Sequence, residues 1–192
     1  MGRPKEFERE SALASGKKVF WRQGYNGTTT DDLRLAMGIG RQSFYDTFKS
    51  KHEVFLEVLD RYNSDRGARL SGIVQSHESA LKVIKAVLTD VSEEDAETRA
   101  LGCLGISSVC EFGTSDAKVS DANQRAGVYW VKTFERLLAD AKAAGEIRRS
   151  VDEKATARYL QTLLGGLRVA ARGGTKPKEL REIARVAIEG LK

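Results

Sequence analysis

Between Pro4 and Pro177 the chain contains no proline. Proline ends helices because its φ is fixed, its N–H is missing and its ring clashes with the preceding turn. A stretch this long without one is expected to fold mostly as helices. The apolar residues agree with that expectation: they recur at steps of three and four, as on one face of a helix. The fold class expected is all-α. At 192 residues the chain is one large domain or two small ones, with a substantial buried core.

Within this helical background, Thr28 to Phe48 reads as two short helices folded across a glycine turn, the unit that places a helix in the DNA major groove. A hydroxyl at Thr29 or Thr30 can cap the first helix, and Asp31 and Asp32 then sit at its positive end. Leu33, Ala36 and Met37 share a face, and Gly38 supplies the backbone freedom for a sharp reversal. The second helix starts near Arg41 or Gln42. Phe44 and Phe48, four apart, point inward, while Arg41, Gln42, Ser43 and Tyr45 point outward as a row of hydrogen-bond donors.

Charge is concentrated in the same region. Residues 1–51 hold ten Lys or Arg and six Asp or Glu, a net of +4 out of the total of +5. Such an excess suits a phosphate-binding surface, because neutralising phosphates releases condensed counterions. It is also an ordinary feature of solvated surfaces.

A first helix is expected from about Glu6 to Gln23, burying Ala12, Gly16, Val19 and Phe20, with Gly24 stopping it. It completes a three-helix unit. A further helix begins near Lys51, carries Val54, Phe55, Val58, Leu59 and Tyr62, and runs past Ile73 and Val74, with a kink or break at Gly67 or Gly72. From Ser120 to Ala143, Gly127, Val131, Phe134, Leu138 and Ala141 form a buried stripe. A helix from Asp152 and another after Pro177 complete the chain.

These residues resemble the TetR family of transcriptional regulators. The likeness rests on Phe20 with Gly24-Tyr25, the Thr28-Thr29-Thr30 entry, Ile39-Gly40, the run Ser43-Phe44-Tyr45-Asp46-Thr47-Phe48, and Lys51 with Phe55, over roughly residues 7 to 60. Gly102-Cys103-Leu104, Ala144-Gly145-Glu146-Ile147 and Leu164-Gly165-Gly166-Leu167 resemble a large subgroup of the family's bodies. The resemblance implies a helix-turn-helix head over residues 1–50 and a helical-bundle body over 51–192 that binds ligand and dimerises. It implies a homodimeric repressor on a palindromic DNA operator, released by a small-molecule inducer or by an electrophile or oxidant.

Roles then follow from chemistry and resemblance together. Tyr45 and Lys51 correspond to the family's phosphate-binding positions; Arg41 and Gln42 open the recognition helix, where a guanidinium pairs with guanine and a carboxamide with adenine. Ser43 faces the same way. Thr29 and Thr30 are expected beside phosphate, and Arg3 and Lys5 on an arm reaching an adjacent groove. Leu160, Leu163, Leu164 and Leu167, with Ile183, Ala187 and Ile188, form two apolar faces. They suit either the core of one chain or a two-fold four-helix bundle, and the resemblance favours the dimer.

Ligand contacts are expected from Cys103, Ile106, Ser107, Cys110, Trp130 and Phe134, lining a mostly apolar cavity for a neutral or aromatic molecule. In an unbroken helix, Cys103 and Cys110 would sit about 10.5 Å apart, beyond the ~7 Å reach of a disulfide. Arg99, one turn before Cys103, would favour a thiolate that senses electrophiles; a small buried hydrophobe is the plainer reading. His52 and His77 show no ligand spacing, so no metal and no cofactor are expected. The chain has no phosphate loop and no nucleophile elbow, which leaves an enzyme with little support; a helical adaptor using its basic head without operator preference is the other alternative. No apolar run approaches the ~20 residues of a membrane span, and the start lacks a secretory core, so the expected location is the cytoplasm.

Overall fold

A computed structural model describes residues 3–192, with side chains from residue 9 onward. Among the described residues there are helices and no strands. They are α1 (Arg3–Gln23), α2 (Thr30–Met37), α3 (Arg41–Phe48), α4 (Lys51–Gln75), α5 (Ala80–Glu93), α6 (Ala96–Leu101), α7 (Leu104–Phe112), α8 (Ala117–Ala143), α9 (Glu153–Arg172) and α10 (Pro177–Glu189).

Packing divides the chain into two compact units. One holds the residues up to Asp65 together with Leu104–Asn123; the other holds Arg66–Cys103 together with Gln124–Lys192. The expected boundary at residue 50 therefore falls inside the first unit. The reason is the apolar face of α4, whose Val54, Phe55, Val58 and Leu59 are fully buried, with Phe55 packed edge-on against Phe20 of α1 at 5.0 Å.

The first unit is built around phenylalanines. Phe20, Phe44, Phe48 and Phe55 have almost no exposed surface, so each contributes the burial of a whole aromatic ring. Sequence spacing anticipates this inward set. The α2 helix ends in a left-handed Gly38, φ 67, ψ 29, with Ile39 N–H bonded to the Arg34 carbonyl at 3.1 Å and Gly38 N–H to Leu35 at 3.2 Å. That pattern satisfies the last carbonyls of the helix and reverses the chain.

In the second unit α5 packs against α9 and α10, and α6 against α9. Val83, Ile84, Val87, Leu88 and Val91 of α5 meet Leu160, Leu164 and Leu167 of α9 and Leu180, Ala184, Ala187 and Ile188 of α10 in one core. Arg168, 3% exposed, lies among them and donates from Nη1 to both Glu94 carboxylate oxygens, at 2.7 and 2.8 Å. Its Nη2 reaches Asp90 at 3.3 Å, and Arg69 grips the same Asp90 with Nε and Nη2. Helix α4 does not break at Gly67 or Gly72: Lys51–Gln75 is one continuous helix. Among the described residues no helix is long and apolar enough to cross a membrane.

Candidate nucleic-acid interface

The recognition helix α3 is held by its inner face. Phe44 and Phe48 anchor it, and their rings lie 5.7 Å apart. Arg41, Gln42, Ser43 and Tyr45 are all exposed on the other side, as their spacing predicts. Gly40 precedes the helix and no side chain caps it. The positive end of α3 and its first-turn amides are thus left without a carboxylate, in the arrangement that attracts phosphate or base acceptors. Gln42 Nε2 donates to Asp46 Oδ1 at 2.9 Å within the helix, which leaves its carbonyl oxygen available. Tyr45 turns its ring edge to Phe44 at 5.5 Å and remains 42% exposed.

The start of α2 is closed. Thr29 is the cap: its hydroxyl accepts from Asp32 N–H at 3.1 Å and donates to Asp32 Oδ2 at 2.6 Å, while its own N–H donates to the same oxygen at 2.8 Å. Both protons of Thr29 therefore go to Asp32 in the free chain. The Thr29 hydroxyl, then its backbone N–H, hold the Asp32 carboxyl below the usual range. With Asp31 beside it, this helix end presents negative charge. Thr30, the first helical residue, is half-buried.

Lys51 is also committed to the chain itself. Its ammonium donates to the carbonyls of Tyr25 at 3.0 Å and Thr28 at 2.8 Å and lies 4.1 Å from the centre of the Tyr25 ring. One of three protons is left for phosphate, so the main work of Lys51 is to hold the turn between α1 and α2. Burial, then the Asp116 charge, pushes the Tyr25 phenol above its ordinary range. Arg3 and Lys5 fall in the first turn of α1, and their side chains lie outside the described residues.

Three polar contacts at this unit have no signal in the sequence. Glu111 of α7 accepts from the amides of Tyr25 at 3.0 Å and Asn26 at 2.6 Å. His52 Nε2 lies 2.7 Å from Asp116, and Lys118 pairs with Glu53 at 3.3 Å. The partners stand 64 to 86 positions apart, where helical periodicity carries no information.

The expected ligand residues fall in different units. Ile106, Ser107 and Cys110 belong to the first, and Cys103, Trp130 and Phe134 to the second. Phe134 is close-packed core with Leu137 and Leu138, and Cys110 is exposed. One side chain is covered by its own core and the other faces solvent. Trp130 is half-buried, with the Arg66 guanidinium 5.8 Å from its ring. Ser108 is buried in the first unit, donating to the Gly105 carbonyl at 2.7 Å and accepting from Asn123 Nδ2 at 2.8 Å. The helix does break where the cysteines begin, at Gly102 with φ 69, ψ −134, and both thiols are free. Arg99 donates to the Glu94 carbonyl.

The apolar faces of α9 and α10 are partly used within the chain. Leu160, Leu164, Leu167, Ala187 and Ile188 are consumed by the core of one chain, because α5 covers that side of α9 and α10. Leu163 is half-buried and Ile183 is 40% exposed. The uncovered apolar side chains are instead Tyr159 and Val169 on α9 and Ile183 and Val186 on α10.

Comparison with known proteins agrees with this geometry. The model of the bacterial regulatory proteins of the tetR family matches residues 12–58, and that of the tetracyclin repressor-like C-terminal domain matches 79–187. The HTH-type transcriptional repressor ComR of Escherichia coli (strain K12) is 29% identical over 188 residues, covering 95% of this chain and 88% of its own. An HTH-type transcriptional regulator of Bacillus subtilis (strain 168), YezE, is 31% identical over 166 residues, 83% and 84% of the two chains. The solved structure of the TetR-family regulator CifR, as a cysteine mutant with 26 bp of double-stranded operator DNA, superimposes with a TM-score of 0.82 at 24% identity, covering 96% and 97%. With two family models spanning head and body and a donor-lined recognition helix inside the first, the chain belongs to the TetR family of DNA-binding transcriptional regulators, and is not an enzyme.

Proposed function

We propose that the protein is a cytoplasmic repressor that binds a palindromic operator as a homodimer and is released by a small molecule, or by an electrophile or oxidant. The observation that carries the reading is α3, with its aromatic face buried and Arg41, Gln42, Ser43 and Tyr45 exposed beside an uncapped helix start. Arg41 and Gln42 read base edges, Ser43 and Tyr45 take phosphate, and Lys51 spends its remaining proton there. The dimer forms through the uncovered face of α9 and α10, around Tyr159, Val169, Ile183 and Val186, which sets two recognition helices at a fixed spacing. For release, Cys103 and Trp130 in one unit, and separately Ile106 and Ser107 in the other, remain proposed ligand contacts.

Selection of bound fragments from a random duplex pool tests this. The native protein should enrich an inverted repeat. Tyr45→Phe should weaken all sequences alike, whereas Arg41→Ala should relax one base pair per half-site at a cost of about 1–3 kcal/mol. If no two-fold site is enriched, the operator reading fails.

A further inference from the structure

The turn between α1 and α2 is gripped from both sides by opposite charges. Lys51 takes two of its carbonyls, as described, and Glu111 takes two of its amides, one carboxylate oxygen for Tyr25 N–H at 3.0 Å and the other for Asn26 N–H at 2.6 Å. Gly24 makes room for the carboxylate: it lies at φ 73, where side chains are disfavoured, and a β-carbon there would collide with Glu111 Oε1. Phe112, the next residue, packs its ring 4.8 Å from Tyr25 and 5.5 Å from Phe55. Glu111 and Phe112 sit at the end of α7, a short helix cut off from α6 by Gly102–Cys103 and lying within the span matched by the C-terminal family model. Its contacts, however, are with the DNA-binding unit.

We propose that Glu111 is a positioning residue for DNA recognition: by holding the amides of Tyr25 and Asn26 it fixes the turn that carries α2 and α3, and so ties α7 to the grip of the head on DNA. Linkage then runs both ways. Whatever shifts α7 changes the affinity for DNA, and DNA bound at α3 must steady α7. The inference rests on DNA binding by this head, and not on the identity of the inducer.

The test compares full-length native protein, Glu111→Gln and Gly24→Ala. A carboxamide offers one acceptor oxygen and turns an NH2 toward an amide donor, so Glu111→Gln removes the second bond and the charge. Affinity for the selected duplex should fall about tenfold, while the lost bonds lower the melting temperature by only a few degrees and leave the head folded. In the native protein, the duplex should slow amide hydrogen exchange across residues 104–112; in Glu111→Gln it should not. A purely structural role would not abolish that response. Gly24→Ala breaks the same contact from the turn, so the double variant should bind no more weakly than Gly24→Ala alone. Native affinity in Glu111→Gln, or an equal exchange response in both proteins, overturns the proposal. Should the native chain select no site, the repressor reading fails, and the same comparison is made on nonspecific duplex at low salt.

Discussion

Lys49 joins the recognition helix to α4 at φ 62, ψ −49, with Ser50 N–H only 2.6 Å from the Phe48 carbonyl. This is the positive-φ γ-turn, which a β-carbon strains. Lys49→Gly should therefore raise stability by about 1 kcal/mol, read as a higher urea midpoint; an unchanged or lower midpoint would sink this account. Thr29 offers a second test. Thr29→Ala should cost about 1 kcal/mol of stability through the lost cap. It should also flatten the acid limb of the stability profile. Asp32 has a folded-state pKa below its unfolded one, so its contribution is present above the unfolded value and lost as pH falls through the folded value. Denaturation from pH 7 down to about pH 3 would show the native curve dropping more steeply than that of Thr29→Ala. At this scale the sequence is readable wherever partners are close in it. The Phe44 and Phe48 anchors and the Thr29–Asp32 cap follow from spacings of four and three. The two carbonyls under Lys51 do not, because the turn they belong to is 23 to 26 residues away.

Among the helices, α1 to α4 and α8 to α10 are legible from their apolar repeats and end signals. By contrast α5 is absent from the sequence reading, although Val83, Ile84, Val87, Leu88 and Val91 recur at the steps of three and four that a helix requires. Without α5, the apolar stripe of α9 has no inner partner in the sequence reading. Periodicity finds the apolar stripe of α9 but cannot say what covers it; α5 does, and the layer is closed from within the chain. The α5–α9 contact also buries charge, with Arg168 3% exposed against Glu94 at 7% and Asp90 at 12%. Removing one member of such a set strands the rest in an apolar core. Arg168→Ala should thus destabilise by about 3–5 kcal/mol, measured by chemical denaturation. A loss below about 1 kcal/mol, the range of a surface pair, would mean that water reaches the cluster.

For the whole molecule, the prediction concerns assembly. Val186 is 62% exposed in the single chain, so Val186→Glu leaves that chain's core intact. In a two-fold interface the same change sets two carboxylates close together in an apolar patch. Sedimentation should give a dimer for the native protein and a monomer for the variant, whose operator affinity should also collapse; equal sedimentation of the two would move the interface elsewhere. The junction from Gly24 to Thr29 has a further consequence. Glu111 holds its amides, Lys51 its carbonyls, Thr28 Oγ1 bonds the Gly24 carbonyl at 2.6 Å, and Thr29 N–H is tied to Asp32. A segment with so many backbone groups spoken for has no slack in length. One residue inserted there would unseat most of these bonds together, whereas the exposed residues 76–78 between α4 and α5 offer a place where the chain can lengthen and still fold.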